Sequence, residues 1–287
     1  MDPRDVGHVG VVGCGLMGSG IVEVCARAGV RVTFAEGSEE LVSAGYGRIE
    51  RSLETAVARG KLAADARDAA LQRIDGAAEL AALAPVDLVI EAATEDPEAK
   101  AAIFRHLGEL TRPEVVLASN TSSIPIGLLA EASGRPGAVV GMHFFNPVPV
   151  MPLIELTPAA RTSDETFALV EGFGRDVLGK TCVRSSDEAG FIVNRLLIPY
   201  LYDAIRLYER GFATREDIDT AIKLGLAHPM GPLTLADLIG LDTVFSIGEV
   251  LREAFGEARY EAPALLRKLI AEGNIGRKSG AGFYDYG

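Results

Sequence analysis

The chain is short of positive charge. Its 28 lysines and arginines face 40 aspartates and glutamates, giving a formal net charge of −12 and a sequence pI of about 4.9. Nucleic-acid affinity comes largely from basic side chains on phosphates, so this balance argues against a nucleic-acid partner. It argues equally against an anionic membrane surface. A small anionic ligand stays compatible, because local amides and a few bases outweigh a distant net charge. Cysteine is scarce as well: Cys14, Cys25 and Cys182 are an odd number without metal-ligand spacing. They read as reduced, buried thiols of a cytoplasmic protein that holds no metal. The start, Met1-Asp2-Pro3-Arg4-Asp5, lacks the basic and apolar segments of a secretory signal. The best candidate for a membrane span, Ala189 to Tyr202, is cut by Arg195 and followed by Asp203, and so reads as a core helix. Internal repeats and low-complexity tracts are missing.

What is present is a sizeable apolar content, 48% over 287 residues, ample for two domains with real cores. Short β-branched runs (Val9 to Val12, Val30 to Ala35, Leu88 to Glu91, Val115 to Ala118, Ala138 to Met142) alternate with helical stretches (Leu16 to Ala28, Glu39 to Arg59, Pro97 to Leu110). This predicts an α/β domain with a mostly parallel, doubly wound sheet covered by helices on both faces. Beyond about Asp187 the strand-like runs stop. Phe191 to Tyr208 reads as a long apolar helix kinked at Pro199, Thr214-Arg215-Glu216-Asp217 as a capped helix start, and Leu233 to Ile239 and Thr243 to Phe255 as further helices. The expected division is residues 1–186, a Rossmann-type domain, and 187–287, an all-α domain. Many apolar positions in so small a helical domain point to a homodimer formed through it.

Gly13-Cys14-Gly15-Leu16-Met17-Gly18 is a G-x-G-x-x-G pattern placed between a strand and a helix, the context that gives it meaning. Gly13 permits the tight turn, Gly15 lets backbone approach a pyrophosphate, and Gly18 lets the helix pack close to the sheet. The phosphates would then face the helix N-terminus. Eighteen residues past Gly18, Glu36 ends the second strand. An acid there accepts from a ribose 2′-hydroxyl and repels a 2′-phosphate, which favours NAD over NADP. The competing reading is a glycine-rich turn with an ordinary surface glutamate.

His143 ends an apolar run, and Glu155 follows twelve residues later at the end of Leu153-Ile154. Two adjacent strands would bring imidazole and carboxylate together, the usual means of taking a proton from an alcohol near neutral pH. The plain alternative is a buried histidine satisfied by backbone. Ser119-Asn120-Thr121-Ser122-Ser123 follows a strand-like run, where ligands gather in open α/β sheets, although Ser122 or Ser123 would also serve as a helix cap. Asn194, in the first turn of the long apolar helix, is either a cap or an orienting hydrogen-bond donor.

Taken together, Gly15-Leu16-Met17-Gly18-Ser19-Gly20-Ile21, Ala118 to Ser123, Gly141-Met142-His143-Phe144-Phe145-Asn146-Pro147-Val148-Pro149-Val150-Met151, Gly190-Phe191-Ile192-Val193-Asn194-Arg195, His228-Pro229-Met230-Gly231-Pro232 and Gly276 to Tyr284 resemble the short-chain L-3-hydroxyacyl-CoA dehydrogenases over nearly the whole chain. The resemblance is strongest to the bacterial 3-hydroxybutyryl-CoA dehydrogenases. It implies reversible NAD-dependent oxidation of an L-3-hydroxyacyl-CoA to the 3-ketoacyl-CoA. It makes His143 the general base, Glu155 the carboxylate behind it, and Ser122 and Asn194 the holders of the substrate's 3-oxygen. It assigns Gly13, Gly15, Leu16, Met17, Gly18, Glu36, Glu95, Lys100, Asn120 and Asn146 to the cofactor, with Glu95 and Lys100 near the nicotinamide ribose. Ser52 and Arg59 fall where the family contacts CoA; a solvated helix face accounts for them, and for Lys61, nearly as well. The family's Asp-x-Pro before Gly-Phe is altered here, with Glu188-Ala189 preceding Gly190-Phe191, and Glu36 replaces a more usual Asp. Competing functions are a related dehydrogenase of a free sugar acid such as L-gulonate or of a carrier-bound hydroxyacyl group, and a crystallin-like structural protein.

Overall fold

Eight short strands form one sheet in the computed structural model, which describes residues 2–287. They are β1 His8–Val12, β2 Arg31–Ala35, β3 Ile74–Ala77, β4 Leu88–Glu91, β5 Val116–Ser119, β6 Val139–Phe144, β7 Leu153–Pro158 and β8 Thr181–Arg184. Their order is β3-β2-β1-β4-β5-β6-β7-β8. Neighbours run parallel except β6 and β7, which pair antiparallel. The central strands β4, β5 and β6 are buried along their whole length. That is why they read as continuous apolar runs rather than as alternation. The edge strands β3 and β8 are only partly buried. Their sequences, Ile-Asp-Gly-Ala and Thr-Cys-Val-Arg, carry no apolar run, and sequence periodicity passes over them.

Between the strands lie α1 Leu16–Arg27, α2 Glu39–Ala58, α3 Ala64–Leu71, α4 Pro97–Leu110, α5 Ile126–Ala132 and α6 Asp164–Gly172. Several starts are written locally. The Ser38 hydroxyl accepts from the Leu41 N–H, with Glu39 and Glu40 in the first turn of α2. Asp96 accepts from the Ala99 N–H ahead of Pro97 in α4, and Ser163 from the Thr166 N–H in α6. Each cap satisfies an amide that has no partner within its helix, and acids there complement the helix dipole. The strand order turns back between β1 and β4, which leaves a crevice at the carboxyl ends of those strands.

By internal contacts the chain forms two compact units, Met1–Glu188 and Ala189–Gly287. The second holds α7 Val193–Glu209, α8 Arg215–Gly225, α9 Pro232–Ile239, α10 Leu241–Phe255 and α11 Ala264–Ala271. Its core joins Ile198, Leu201, Tyr202, Leu233, Val244, Leu251 and Tyr260. Helix α7 starts two residues later than the apolar pattern suggests, because Phe191 takes a positive φ of 47° that a helix cannot accommodate. The helix continues on both sides of Pro199. Thr214 caps α8, its hydroxyl accepting from the Asp217 N–H. Asp237, buried in α9, accepts from the N–H groups of Phe283 and Tyr284 and from the Tyr286 hydroxyl, and so clasps the C-terminal segment. No helix among the described residues is long and apolar enough to cross a membrane.

Candidate active site

The glycine pattern forms the turn from β1 into α1. Gly13 has a φ of +84°, and a Cβ on Gly18 would collide with the Gly13 carbonyl, so turn and helix are packed backbone to backbone. A Cβ on Gly15 would meet nothing within 4 Å. Space therefore lies above Gly15 at the N-terminal end of α1, where unpaired amides attract a pyrophosphate. Leu16 is exposed and Met17 half-buried beside it. Glu36, just past β2, turns its carboxylate into this loop: Oε1 accepts from the Cys14 N–H at 2.5 Å. The Arg48 guanidinium donates to the Cys14 carbonyl at 3.2 Å. A shaped turn with an acid on its rim fits a dinucleotide with an unphosphorylated ribose. Cys14 itself faces inward. Burial, helped by the Glu36 charge, pushes its thiol up to about 12.

His143 and Glu155 are direct partners across the β6–β7 ladder. Nδ1 of the ring lies 2.9 Å from Oε2 of the carboxylate, with Glu155 fully buried and His143 nearly so. Residues directly opposite in an antiparallel pair share one face of the sheet at short range, so the register alone brings the two groups together. The tautomer that donates Nδ1–H to Glu155 leaves a lone pair on Nε2. The Phe145 ring packs against the imidazole at a centroid separation of 4.6 Å.

Side-chain hydrogen bonds tie down the segment after β5. Asn120 is buried, and its side-chain oxygen accepts from the Phe144 N–H at 2.9 Å, tying this segment to the strand that carries His143. Glu95 accepts from the Ser122 N–H at 2.8 Å, from its hydroxyl at 3.2 Å, and from the Thr121 hydroxyl. Lys100 lies on α4, and its ammonium sits 3.5 Å from Glu95. The next helix, α5, is not capped by Ser122 or Ser123. Its first amides, Ile126 and Gly127, donate instead to Asp187, sixty residues away. The Ser122 hydroxyl is turned to Glu95 rather than to a helix amide.

Glu91 escaped sequence reading. It ends β4 as the single charged residue of Leu-Val-Ile-Glu, and it is fully buried against Lys100, with both oxygens 2.7 Å from the ammonium. An acid closing an otherwise apolar central strand was the available signal. Lys180 is the second such residue. Its buried ammonium donates to the carbonyls of Val148 and Met151 and fastens the turn between β6 and β7. Burial and the nearby Arg27 charge lower its pKa. Asn146 is exposed in that same turn. Ser52 on α2 and Arg59 at its C-cap are both exposed, seven residues apart and hence toward one side of the helix. Asn194 is buried in the first turn of α7, in the second unit. Among the described residues no cluster of His, Cys, Asp and Glu is suited to a metal ion.

Comparison with known proteins bears on this geometry. A family model described as the NAD binding domain of 3-hydroxyacyl-CoA dehydrogenase matches residues 8–188, and one described as the C-terminal domain of 3-hydroxyacyl-CoA dehydrogenase matches residues 190–286. A 3-hydroxybutyryl-CoA dehydrogenase of Mycobacterium tuberculosis is 52% identical over 280 residues, spanning 97% of this chain and 98% of that protein. The crystal structure of M. tuberculosis FadB2 superposes with a TM-score of 0.96 at 51% identity, covering 98% of this chain and 99% of the other. That of (S)-3-hydroxybutyryl-CoA dehydrogenase PaaH1 from Ralstonia eutropha gives 0.92 at 41% identity, over 99% and 100% of the two chains.

Proposed function

The chain belongs to the 3-hydroxyacyl-CoA dehydrogenase family, and from that premise we propose that it oxidises a short-chain L-3-hydroxyacyl-CoA, of the 3-hydroxybutyryl class, reversibly to the 3-ketoacyl-CoA. NAD, when bound, supplies the hydride acceptor. The residues that would hold it are Gly13, Gly15, Leu16, Met17 and Gly18 at the pyrophosphate, Glu36 at the adenosine ribose, and Glu95, Lys100, Asn120 and Asn146 on the nicotinamide side. His143 takes the proton of the substrate hydroxyl at Nε2 as the hydride departs. Glu155, buried behind Nδ1, keeps that tautomer and sets a negative charge beside the imidazolium that forms. In the reverse direction the imidazolium returns the proton to the alkoxide. Ser122 and Asn194 orient the 3-oxygen, and Ser52 and Arg59 receive the CoA portion.

One observation carries this reading: the buried 2.9 Å contact between His143 and Glu155, built by strand register in a domain of the NAD-binding type. The second unit contributes substrate binding and the interface of a homodimer. Supporting this is the exposure of Leu196, Phe212 and Leu224, each more than two-thirds accessible. The three free cysteines support a cytoplasmic setting.

The test is the rate of NADH formation from L-3-hydroxybutyryl-CoA against the free acid, a free sugar acid and the carrier-bound thioester. The proposal expects the CoA thioester to dominate kcat/KM. Equal or better turnover of a free acid defeats the substrate assignment, and no NAD reduction across a panel of acyl-CoAs defeats the enzymatic one. Light scattering in solution should return twice the 30.3 kDa chain mass; a monomer overturns the dimer.

A further inference from the structure

Glu91 is a charge where a sheet core ordinarily has none. It is fully buried at the end of β4, in register with Val12 of β1 on one side and Ser119 of β5 on the other. That position is the point where the strand order turns back, beneath the crevice expected to take the cofactor. A lone buried carboxylate is costly, and it persists only with full compensation. Here the compensation is complete and directional. Both oxygens receive the Lys100 ammonium at 2.7 Å, one accepts from the Ala93 N–H at 2.8 Å, and the other from the Ser119 hydroxyl at 2.7 Å.

Each of these partners leads toward a site residue. Lys100 lies 3.5 Å from Glu95, and Glu95 holds the backbone N–H and the hydroxyl of Ser122. Ala93 lies against Gly13 of the fingerprint turn, so closely that a Cβ on Gly13 would meet the Ala93 backbone at 2.8 Å. Ser119 precedes Asn120, whose side chain fixes the amide of Phe144 next to His143. One carboxylate thus touches the loop that follows β4, the end of β5 and helix α4.

Resting on the dehydrogenase reading above, we propose that Glu91 is a positioning residue for hydride transfer. It aims Lys100 and Glu95 at the nicotinamide side and keeps the loop bearing Ser122 in step with the strand bearing His143. It does so without touching substrate or cofactor. An aliphatic core residue at this place would suffice for folding alone, since well-packed apolar replacements of buried ion pairs are often neutral or stabilising. The arrangement is explained by the geometry it imposes on its neighbours.

The test is steady-state kinetics of Glu91→Gln and Ser119→Ala beside wild type and His143→Gln, with thermal melts of each. Glu91→Gln keeps the shape but turns an amide N–H toward the Lys100 ammonium. Its KM for NAD should rise about tenfold or more and its kcat fall about tenfold, with KM for the acyl-CoA within about twofold, the signature of a cofactor-side fault. Ser119→Ala leaves both charges in place and removes a single neutral donor, so it folds even where Glu91→Gln does not. Its kcat should drop about threefold to tenfold at a nearly unchanged melting temperature. A purely structural role would lower the melting point and leave both constants of the folded enzyme alone. Folded variants with kcat and KM for NAD within twofold of wild type overturn the proposal. Full activity of His143→Gln, or an inactive wild type, would instead overturn the reading on which it rests.

Discussion

Glu155 on β7 stands opposite His143 on β6 in the one antiparallel pairing of a sheet whose other neighbouring strands run parallel. The reversal of direction matters chemically. Antiparallel partners meet side by side at the same level, and that converts strand register into a 2.9 Å acid–imidazole contact without help from any loop.

Replacing His143 by Gln keeps a polar group of similar reach but no proton acceptor. His143→Gln should lower kcat by about 10²–10⁴-fold, and Glu155→Gln by an amount toward the lower end of that range, because the ring survives there without its buried charge. KM for NAD should move little in either. Initial rates of NADH formation at saturating NAD decide it, and a His143→Gln enzyme at wild-type kcat would remove the histidine from the chemistry.

Two glycines of the fingerprint should fail in different ways. In Gly18→Ala the new methyl runs into the Gly13 carbonyl, so the fold suffers first, by about 1–3 kcal/mol or more, with a melting point lower by several degrees. In Gly15→Ala the methyl meets no protein atom within 4 Å, so the melting point should hold while NAD affinity collapses. Scanning calorimetry and NAD titration of both variants separate these outcomes.

Glu36 should set the choice between NAD and NADP. Glu36→Ala removes the like-charge conflict with a 2′-phosphate and the hydrogen bond to the Cys14 N–H. The ratio of kcat/KM for NAD over NADP should fall by about tenfold to a hundredfold, the scale of one like-charge contact. An unaltered ratio would show that the discrimination lies elsewhere.

The thiols should be inert in the folded enzyme. Burial pushes Cys14 and Cys25 up to about 12 and Cys182 to about 11, against an ordinary value of 9.0. At pH 8 only about one Cys14 in ten thousand is a thiolate, so a disulfide reagent should leave Cys14 and Cys25 unmodified until denaturant is added. The same shifts fix a pH trend. Folded pKa values lie above unfolded ones, so this contribution to stability is whole below about pH 9 and is lost as pH climbs toward 12. Melting temperatures measured from pH 7 to 11 should therefore fall on the alkaline side.

Much of the N-terminal architecture was readable because its central strands are buried on both faces and its helices carry their own caps. Helix α4 begins and ends where Asp96-Pro97 and the apolar spacing place it. The His143–Glu155 pairing was legible as two apolar runs each bearing one titratable group. What stayed hidden depended on partners far along the chain. Helix α5 is capped from Asp187, so no local signal marks its start. Glu91 is identified only by the lysine nine residues on and the serine twenty-eight residues on that close around it. Lys180 looks like a surface base until the carbonyls of Val148 and Met151 are in place. Strand β3 offers a single buried residue, too little for any periodic pattern.

Strand parity also bears on how this enzyme's genes can change. Side chains alternate faces along β7, so deleting one codon between Leu153 and Glu155 would present a neighbouring aliphatic residue to the imidazole and turn the acid to the far side of the sheet. Length changes in the turn from 145 to 152 carry no such parity penalty. Descendants of this sequence should therefore keep the spacing within both strands, while the turn's length is held separately by buried Val148 and the carbonyls fastened to Lys180.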